Sequence, residues 1–191
     1  MTPETFKDSF SMPAGASLYG RPPYVYRGVE DIIIVYEASA DAIGALLPPG
    51  VEPADDPAIC AAWARWVPFS AFGPYHEAYI MVQVTFAGTR YLYQPVILVD
   101  NEIALGAGRE IWGFPKKLAA FDRSWKTGAA LFGEQLRYWV ERPLGQPVLT
   151  ATMVCDQPAA AGALGPDLPV LSCRVIPDAD GGARPALADL V

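Results

Sequence analysis

The chain has 191 residues, the length of one ordinary domain, and 52% of them are hydrophobic, enough to bury a core without disulfides or a structural metal. With 14 Lys and Arg against 21 Asp and Glu, its formal net charge of −7 argues against binding to nucleic acid or to an anionic membrane surface. No uncharged run approaches the roughly 20 residues that a transmembrane helix requires.

The predicted elements are mainly strands, because most apolar runs are short, rich in β-branched and aromatic residues, and bounded by Gly, Pro or charges. The chain begins with an irregular N-terminal arm at 1–23, followed by a buried strand at 30–37 and a short helix at 40–47 that is capped by Ser39. Strands follow at 59–69, 78–86 and 91–99, and the last two are joined as a hairpin through 87–90. A second hairpin is formed by 131–132 and 134–141 around Gly133, and further strands lie at 146–154 and 170–176. Helical periodicity is otherwise scarce, and 19 prolines favour strand edges, bulges and corners. The pattern predicts one mainly β (α+β) domain over residues 1–191, formed by a strongly curved antiparallel sheet, a sandwich or a barrel with a few short helices.

Cysteine and histidine usage predicts neither disulfides nor a metal site. Cys60, Cys155 and Cys173 are odd in number and far apart, and His76 is the only histidine, whereas a zinc site needs about four clustered ligands. We interpret His76 as a plain loop residue. The N-terminus lacks the basic and apolar regions of a secretory signal, so we predict a cytoplasmic protein with free thiols.

One segment of the sequence, an adjacent pair of lysines among apolar residues, suggests a catalytic role. Two of the four lysines, Lys116 and Lys117, are adjacent within an apolar stretch that also contains Gly113 and Pro115. An ammonium group among apolar side chains loses hydration, which predicts a lowered pKa and a neutral amine that can form a Schiff base with a ketone. Composition alone leaves open the alternative of a solvent-facing lysine pair in a turn.

The segment Gly108–Ala119 (GREIWGFPKKLA), preceded by Asp100-Asn101-Glu102, resembles the signature of the acetoacetate decarboxylase family. The resemblance extends from Arg21-Pro22-Pro23-Tyr24 to Arg174-Val175-Ile176-Pro177, which is most of the chain. It implies that Lys116 is the Schiff-base lysine, a role for which this family is well known.

The resemblance also implies roles for other residues. Lys117 matches the neighbour credited with lowering the pKa of the Schiff-base lysine, and Glu77 matches a pocket glutamate that handles protons or orients the substrate. If the segment is extended, consecutive side chains point to opposite faces, so we expect desolvation to outweigh the charge of Lys117.

Further pocket residues follow from the same signature. Arg109 and Glu110 either contact the substrate or form a structural pair that positions the loop. Tyr24, Trp112 and Phe114 are expected to line a dry pocket together with apolar strands.

The match departs from the decarboxylase pattern at two places. The family's pocket arginine falls on Val29 in ungapped register, and Arg27, two residues earlier on the same strand face, is the candidate to replace it. A second pocket glutamate falls near Ala62. Both groups surround the substrate carboxylate in the family, so the identity of the substrate stays open.

Three functions are therefore compared. The first is a lyase that decarboxylates a β-keto acid, such as acetoacetate, to a methyl ketone and CO2 through a lysine iminium. The second is an aldolase-dehydratase of the same family, which condenses pyruvate-like keto acids with aldehydes. The third is a non-catalytic barrel that binds a small hydrophobic ketone or acid.

The family resemblance also implies a cone-like β-barrel, a homo-oligomer and a small keto acid as partner. It implies no cofactor, whether metal, PLP or nucleotide, and the chain has no P-loop or GxGxxG motif. Family members continue for several tens of residues past the segment at 174–177, so we expect the C-terminal part of the family domain to be missing here. A fragment, a natural truncation and completion by another chain remain open as explanations.

Overall fold

A computed structural model describes residues 9–124, 135–154, 156–157, 167–182 and 184–191, and in these ranges it contains fourteen strands and two helices. The strands are β1 (Tyr26–Arg27), β2 (Glu30–Ala38), β3 (Val51–Pro53), β4 (Ala58–Val67), β5 (Phe69–Ser70), β6 (Tyr75–Phe86), β7 (Thr89–Val99), β8 (Lys116–Leu118), β9 (Ala120–Arg123), β10 (Gln135–Glu141), β11 (Pro147–Val154), β12 (Val170–Leu171), β13 (Cys173–Ile176) and β14 (Leu187–Leu190). The helices are α1 (Ala40–Gly44) and α2 (Glu102–Trp112). The prediction of a mainly β protein with few helices is confirmed.

A seven-stranded sheet forms the centre of the fold. Its main path is β12-β7-β6-β4-β2, with β3 paired to β6 and β8 paired to β7. All of its pairs are antiparallel except those of β8 and β12, which both run parallel to β7, so the sheet is mixed and not purely antiparallel as predicted. A three-stranded sheet, β11-β10-β9, and the pairs β1-β5 and β13-β14 accompany it. Within the described residues, none of these sheets closes on itself, so the barrel expectation is not confirmed.

The long hairpin of β6 and β7 was predicted correctly, although its turn is shorter than expected. Thr89 and Arg90 already pair with Phe86 and Thr85, which leaves a two-residue turn at Ala87-Gly88. Both turn residues have positive φ, 48° and 78°, as the twist of a tight hairpin requires. Of the second predicted hairpin, the part around Gly133 lies outside the described residues, and its second strand is β10.

Helix α2 was not predicted. Its N-cap is Asn101, whose side-chain oxygen accepts hydrogen bonds from the backbone N–H groups of Ile103 and Ala104 at 2.9 and 3.0 Å. It ends at Gly113, which adopts a left-handed conformation with φ of 71°. Two internal glycines, Gly106 and Gly108, weaken the helical signal in the sequence because glycine is a poor helix former.

The core lies on the central strands, whereas β2 is a sheet edge. Val82, Val84 and Val99 of β6 and β7 are fully buried. Among the described residues, the strand predicted as buried at 30–37 pairs only with β4, and its Ile34 and Val35 are exposed, which corrects that expectation. The β-branched composition of the segment predicted the strand correctly, but composition does not show which strand of a sheet lies at its edge.

The described part of the N-terminal arm, residues 9–23, is irregular, as predicted, yet it is part of the core. Tyr19 is buried, and Phe10 and Leu18 pack against the same cluster as Ala104 and Ala107 of α2. The segment therefore covers one side of the helix. In the described ranges, no helix is both long and apolar enough to span a bilayer.

Candidate active site

Lys116 is the first residue of β8, and its side chain is held against helix α2. Its backbone pairs with Ile97 of β7, and its aliphatic arm crosses the helix at Gly108. A Cβ atom at position 108 would lie 2.5 Å from Cδ and 2.6 Å from Cε of Lys116, distances that real contacts essentially never show. A glycine at this position is therefore what lets the lysine pass beneath the helix.

The amine of Lys116 contacts the carboxylate of Glu77. Nζ lies 2.5 Å from Oε1, and both side chains are only 8% exposed. The contact is an ion pair whose angles do not fit a hydrogen bond, and Oε1 has no hydrogen-bond partner within the described residues. Glu77 lies inside β6, opposite Arg65 of β4 and Val99 of β7, so it is a buried strand residue. A carboxylate in this place can accept a proton from the amine or return one to a bound molecule.

The Lys116–Glu77 pair opens onto a cavity of about 590 Å³. Its lining is mainly apolar and aromatic, and consists of Tyr26, Val29, Asp31, Arg65, Val67, Phe72, Tyr75, Glu77, Ala104, Trp112, Phe114 and Lys116. The ring centroids of Tyr75 and Phe114 lie 5.9 and 6.0 Å from Nζ of Lys116. Burial and the negative charge of Glu77 raise the pKa of Tyr75, so its phenol stays protonated.

Arg65 is a cavity residue that the sequence analysis missed. Its Nε and Nη2 donate to the two carboxylate oxygens of Asp31 at 2.7 and 3.0 Å, and its guanidinium lies 5.6 Å from the ring centroids of Trp63 and Tyr79. Burial would lower the pKa of Arg65, but the bonds to Asp31 and nearby negative charge outweigh burial and raise it. The available signal was that Arg65 is the only charged residue in an apolar strand, β4.

The predicted aromatic residues and Lys117 are divided between the cavity and its surroundings. Trp112 and Phe114 line the cavity and stack with centroids 6.1 Å apart. Tyr24 packs behind this wall, with its ring centroid 4.7 Å from Phe72 and 5.8 Å from Trp112. Lys117 is exposed and follows a buried Lys116, as expected for consecutive residues of a strand.

Three predicted polar residues lie outside the cavity lining. Arg27 is exposed on β1, with its guanidinium 5.7 Å from the ring centroid of Phe69. Arg109 donates from Nη1 to the backbone carbonyl of Lys116 at 3.2 Å. Glu110 accepts a hydrogen bond from the phenol of Tyr19, and burial together with this carboxylate raises the pKa of that phenol. Arg109 and Glu110 thus make contacts that position α2 and β8.

His76 lies in β6 and not in a loop, which corrects the prediction for it. Its Nδ1 lies 2.8 Å from Asp100, and its ring stacks on Trp66 at 4.3 Å. In the ranges that the structure describes, no group of three or more His, Cys, Asp or Glu side chains is arranged to hold a metal ion. Cys60 and Cys173 are free thiols there, and Cys155 lies outside those ranges.

Comparison with known proteins gives one family match. The model of the family described as "Acetoacetate decarboxylase (ADC)" matches residues 11–191. A curated relative, acetoacetate decarboxylase 2 of Mesorhizobium japonicum, is 30% identical over 188 residues, which cover 96% of this chain and 67% of the relative. The chain spans about half the length of other curated relatives that it matches.

Solved structures share the fold. The crystal structure of acetoacetate decarboxylase from Legionella pneumophila superposes with a TM-score of 0.79 at 29% identity, over 95% of this chain and 71% of that one. The enduracididine biosynthesis enzyme MppR, solved with the condensation product of pyruvate and imidazole 4-carboxaldehyde, gives a TM-score of 0.75 over 96% of this chain and 75% of that one. Its identity of 23% shows a common fold alone.

Proposed function

The chain belongs to the acetoacetate decarboxylase family, and on this premise we propose that it is a carboxy-lyase that decarboxylates a β-keto acid, such as acetoacetate, through a Schiff base on Lys116. The observation that carries the proposal is the buried amine of Lys116, 2.5 Å from the Glu77 carboxylate, at the wall of a cavity of about 590 Å³. A lysine and a carboxylate in contact beside such a cavity supply a nucleophile and its proton acceptor.

The first stage forms the iminium. Glu77 accepts a proton from Nζ, and the neutral amine of Lys116 attacks the ketone carbon of the substrate; a second proton then passes from Nζ to the substrate oxygen to give a carbinolamine. Protonation of the carbinolamine oxygen by Glu77 lets it leave as water, while the nitrogen lone pair closes the C=N bond. The cavity walls favour this loss of water because they are largely apolar.

The second stage breaks the carbon–carbon bond. The electron pair of the bond to the carboxylate moves into the iminium, CO2 leaves, and an enamine remains. Glu77, which contacts Nζ, takes up a proton from water and passes it to the enamine carbon. Water adds to the resulting iminium, and its hydrolysis releases the methyl ketone and the free amine of Lys116.

Borohydride trapping with intact-mass measurement tests this proposal. The protein is incubated with acetoacetate and, separately, with pyruvate in the presence of borohydride, which reduces an iminium to a stable secondary amine. We expect one adduct with acetoacetate, its loss in Lys116→Arg, and its retention in the matched control Lys117→Arg. An adduct that survives Lys116→Arg, or no adduct with either keto acid, contradicts the proposal. The latter result favours a binding protein without turnover.

A second candidate function is an aldolase-dehydratase that acts on a pyruvate-like keto acid and an aldehyde. It is favoured by Val29, which lines the cavity where the decarboxylase pattern has an arginine. This reaction shares the iminium but uses the enamine to form a carbon–carbon bond. Release of CO2 from acetoacetate supports the first function, and formation of an enone from pyruvate with an aldehyde supports the second.

The proposal includes an assembly. We propose a single domain over residues 1–191, with its N-terminal arm at 1–23, that self-associates into a homo-oligomer. The exposed apolar residues of the edge strand β2, such as Ile34 and Val35, support this because such surface is unfavourable in water. Sedimentation velocity over a range of concentrations tests it, and a monomer at all concentrations contradicts it.

A further inference from the structure

Arg65 lies in the cavity of Lys116 and Glu77 but has no part in the steps above. Its backbone pairs with that of Glu77 across β4 and β6, so the two side chains leave neighbouring strands on the same face. The guanidinium is fixed by Asp31 on one side and by the rings of Trp63 and Tyr79. It is therefore a rigid cation on the wall of the cavity.

The guanidinium keeps unused hydrogen-bonding capacity. An arginine has five N–H donors, and those on Nε and Nη2 that face Asp31 account for two of them. Within the described residues, Nη1 makes no hydrogen bond. Among the residues that line this cavity, Arg65 is the single arginine, and the other cation, Lys116, is the proposed nucleophile.

We propose that Arg65 binds the carboxylate of the keto acid substrate and that Asp31 limits the strength of this binding. The inference rests on the proposed function, because it concerns the acid that forms the Schiff base with Lys116. A planar guanidinium with free donors is the group best suited to a carboxylate. Arg27, which the sequence favoured for this role, is exposed on β1 and absent from the cavity lining.

The role of Asp31 follows from the reaction. The substrate carboxylate loses its charge as it becomes CO2, so a strong ion pair stabilises the ground state more than the transition state and slows the step. The Asp31 carboxylate already balances the charge of Arg65. The pair thus offers hydrogen bonds that orient the substrate without the full attraction of an isolated cation.

Trapping rates with two ketones test the role of Arg65. Acetoacetate carries a carboxylate, and 2-pentanone is a methyl ketone of similar size that does not. In Arg65→Met, we expect the initial rate of borohydride trapping at sub-saturating acetoacetate to fall by at least about tenfold, as for loss of a charge-assisted hydrogen bond, while trapping of 2-pentanone stays within about twofold. The matched control is Arg90→Met, which removes an arginine from a surface ion pair with Asp55.

The outcomes separate the two proposals. An equal loss for both ketones in Arg65→Met, or no loss for either, overturns the role of Arg65 and leaves the Schiff-base function standing. A native protein that is labelled by neither ketone overturns the proposed function itself.

The variant Asp31→Asn tests the second half of the inference and decides the matter if Arg65→Met does not fold. It keeps the shape of the side chain but removes the charge that balances Arg65. We expect KM for acetoacetate to fall and kcat to fall with it, because the carboxylate is then held more tightly in the ground state. An unchanged or higher KM overturns the inference. Asp55→Asn, in the surface pair with Arg90, is the control for a general effect of charge.

Discussion

The aliphatic arm of Lys116 lies directly on the backbone of Gly108, eight residues earlier in the chain. A side chain at position 108 would overlap Cδ and Cε of the lysine, at 2.5 and 2.6 Å. Helix α2 therefore contacts the side chain of Lys116 close to its amine, at the position of Gly108. The contact explains why a helix of the central fold contains a buried glycine, despite the helical stability that glycine costs.

Gly108→Ala is expected to impair chemistry more than stability. The added methyl group would displace the far end of a flexible lysine, which can move, but Nζ would leave its place beside Glu77. A displacement of about 1 Å can cost about 100-fold in rate, and we expect a loss of trapping and turnover of that order. Intact-mass trapping and thermal unfolding measure the two effects. Gly106→Ala, whose methyl group would meet Leu18 instead, is the control and should retain labelling; equal loss in both variants contradicts the prediction.

Glu77→Gln is expected to lower kcat by about 10²- to 10⁴-fold, the usual contribution of a general acid–base group. The amide has the size of the carboxylate but cannot accept the proton of Nζ. Steady-state kinetics with acetoacetate check this, together with the rate of trapping, which should fall as well. Glu102→Gln, on the exposed first turn of α2, serves as the control. Turnover at the native rate in Glu77→Gln would exclude Glu77 as the proton carrier.

Lys117→Met is expected to have little effect on turnover. Lys117 is exposed on the face of β8 opposite Lys116, where water screens its charge. We expect turnover within about threefold of the native rate, since an exposed charge contributes little, and a similar pH profile of Schiff-base formation. A profile that moves to higher pH in the variant would show that Lys117 controls the amine, contrary to this prediction.

Gly113→Ala is expected to destabilise the fold by about 1–3 kcal/mol, because a non-glycine residue is strained at a φ of 71°. The new Cβ would also lie 2.7 Å from the backbone N and Cα of Arg174, which cannot move aside as a side chain can. The Arg174 side chain donates to the carbonyls of Glu110 and Ile111 at the end of α2, so the clash falls where helix and β13 are joined. Urea unfolding measures the change in free energy. A loss below about 0.5 kcal/mol, the range of neutral surface changes, would contradict the prediction.

The sequence predicted the long strands well because their signal is local, whereas the short strands β1, β3, β8, β9 and β14 were not predicted. The β-branched and aromatic composition of β6 and β7 is visible within each segment itself, and so is the turn between them. Helix α2 was missed because two glycines interrupt its apolar face, although Asn101, a capping residue, and Gly113, a helix terminator, mark its ends. Gly106 and Gly108 make room for the side chains of Leu18 and Lys116, which lie outside the helix, so the helical pattern of the sequence does not explain these glycines.

The residues that meet at the cavity were predicted only where the family signature covers them. The placement of Lys116 and Glu77 in one pocket followed from the resemblance, and the structure brings them into contact. Arg27 was chosen on the argument that residues two apart share a strand face, but Gly28, with φ of 66°, separates β1 from β2 and breaks that parity. Arg65 could not be found in this way, because its approach to Asp31 depends on the register between β2 and β4.

The crossover from β7 through α2 to β8 constrains the number of residues between Val99 and Lys116. Each residue of an α-helix turns the chain by about 100°, at about 3.6 residues per turn. One inserted or deleted residue in α2 would rotate Gly108 away and present another side chain to the lysine. During evolution this connection can exchange many of its amino acids, whereas changes in its length should be rare, unlike changes in the length of an exposed loop.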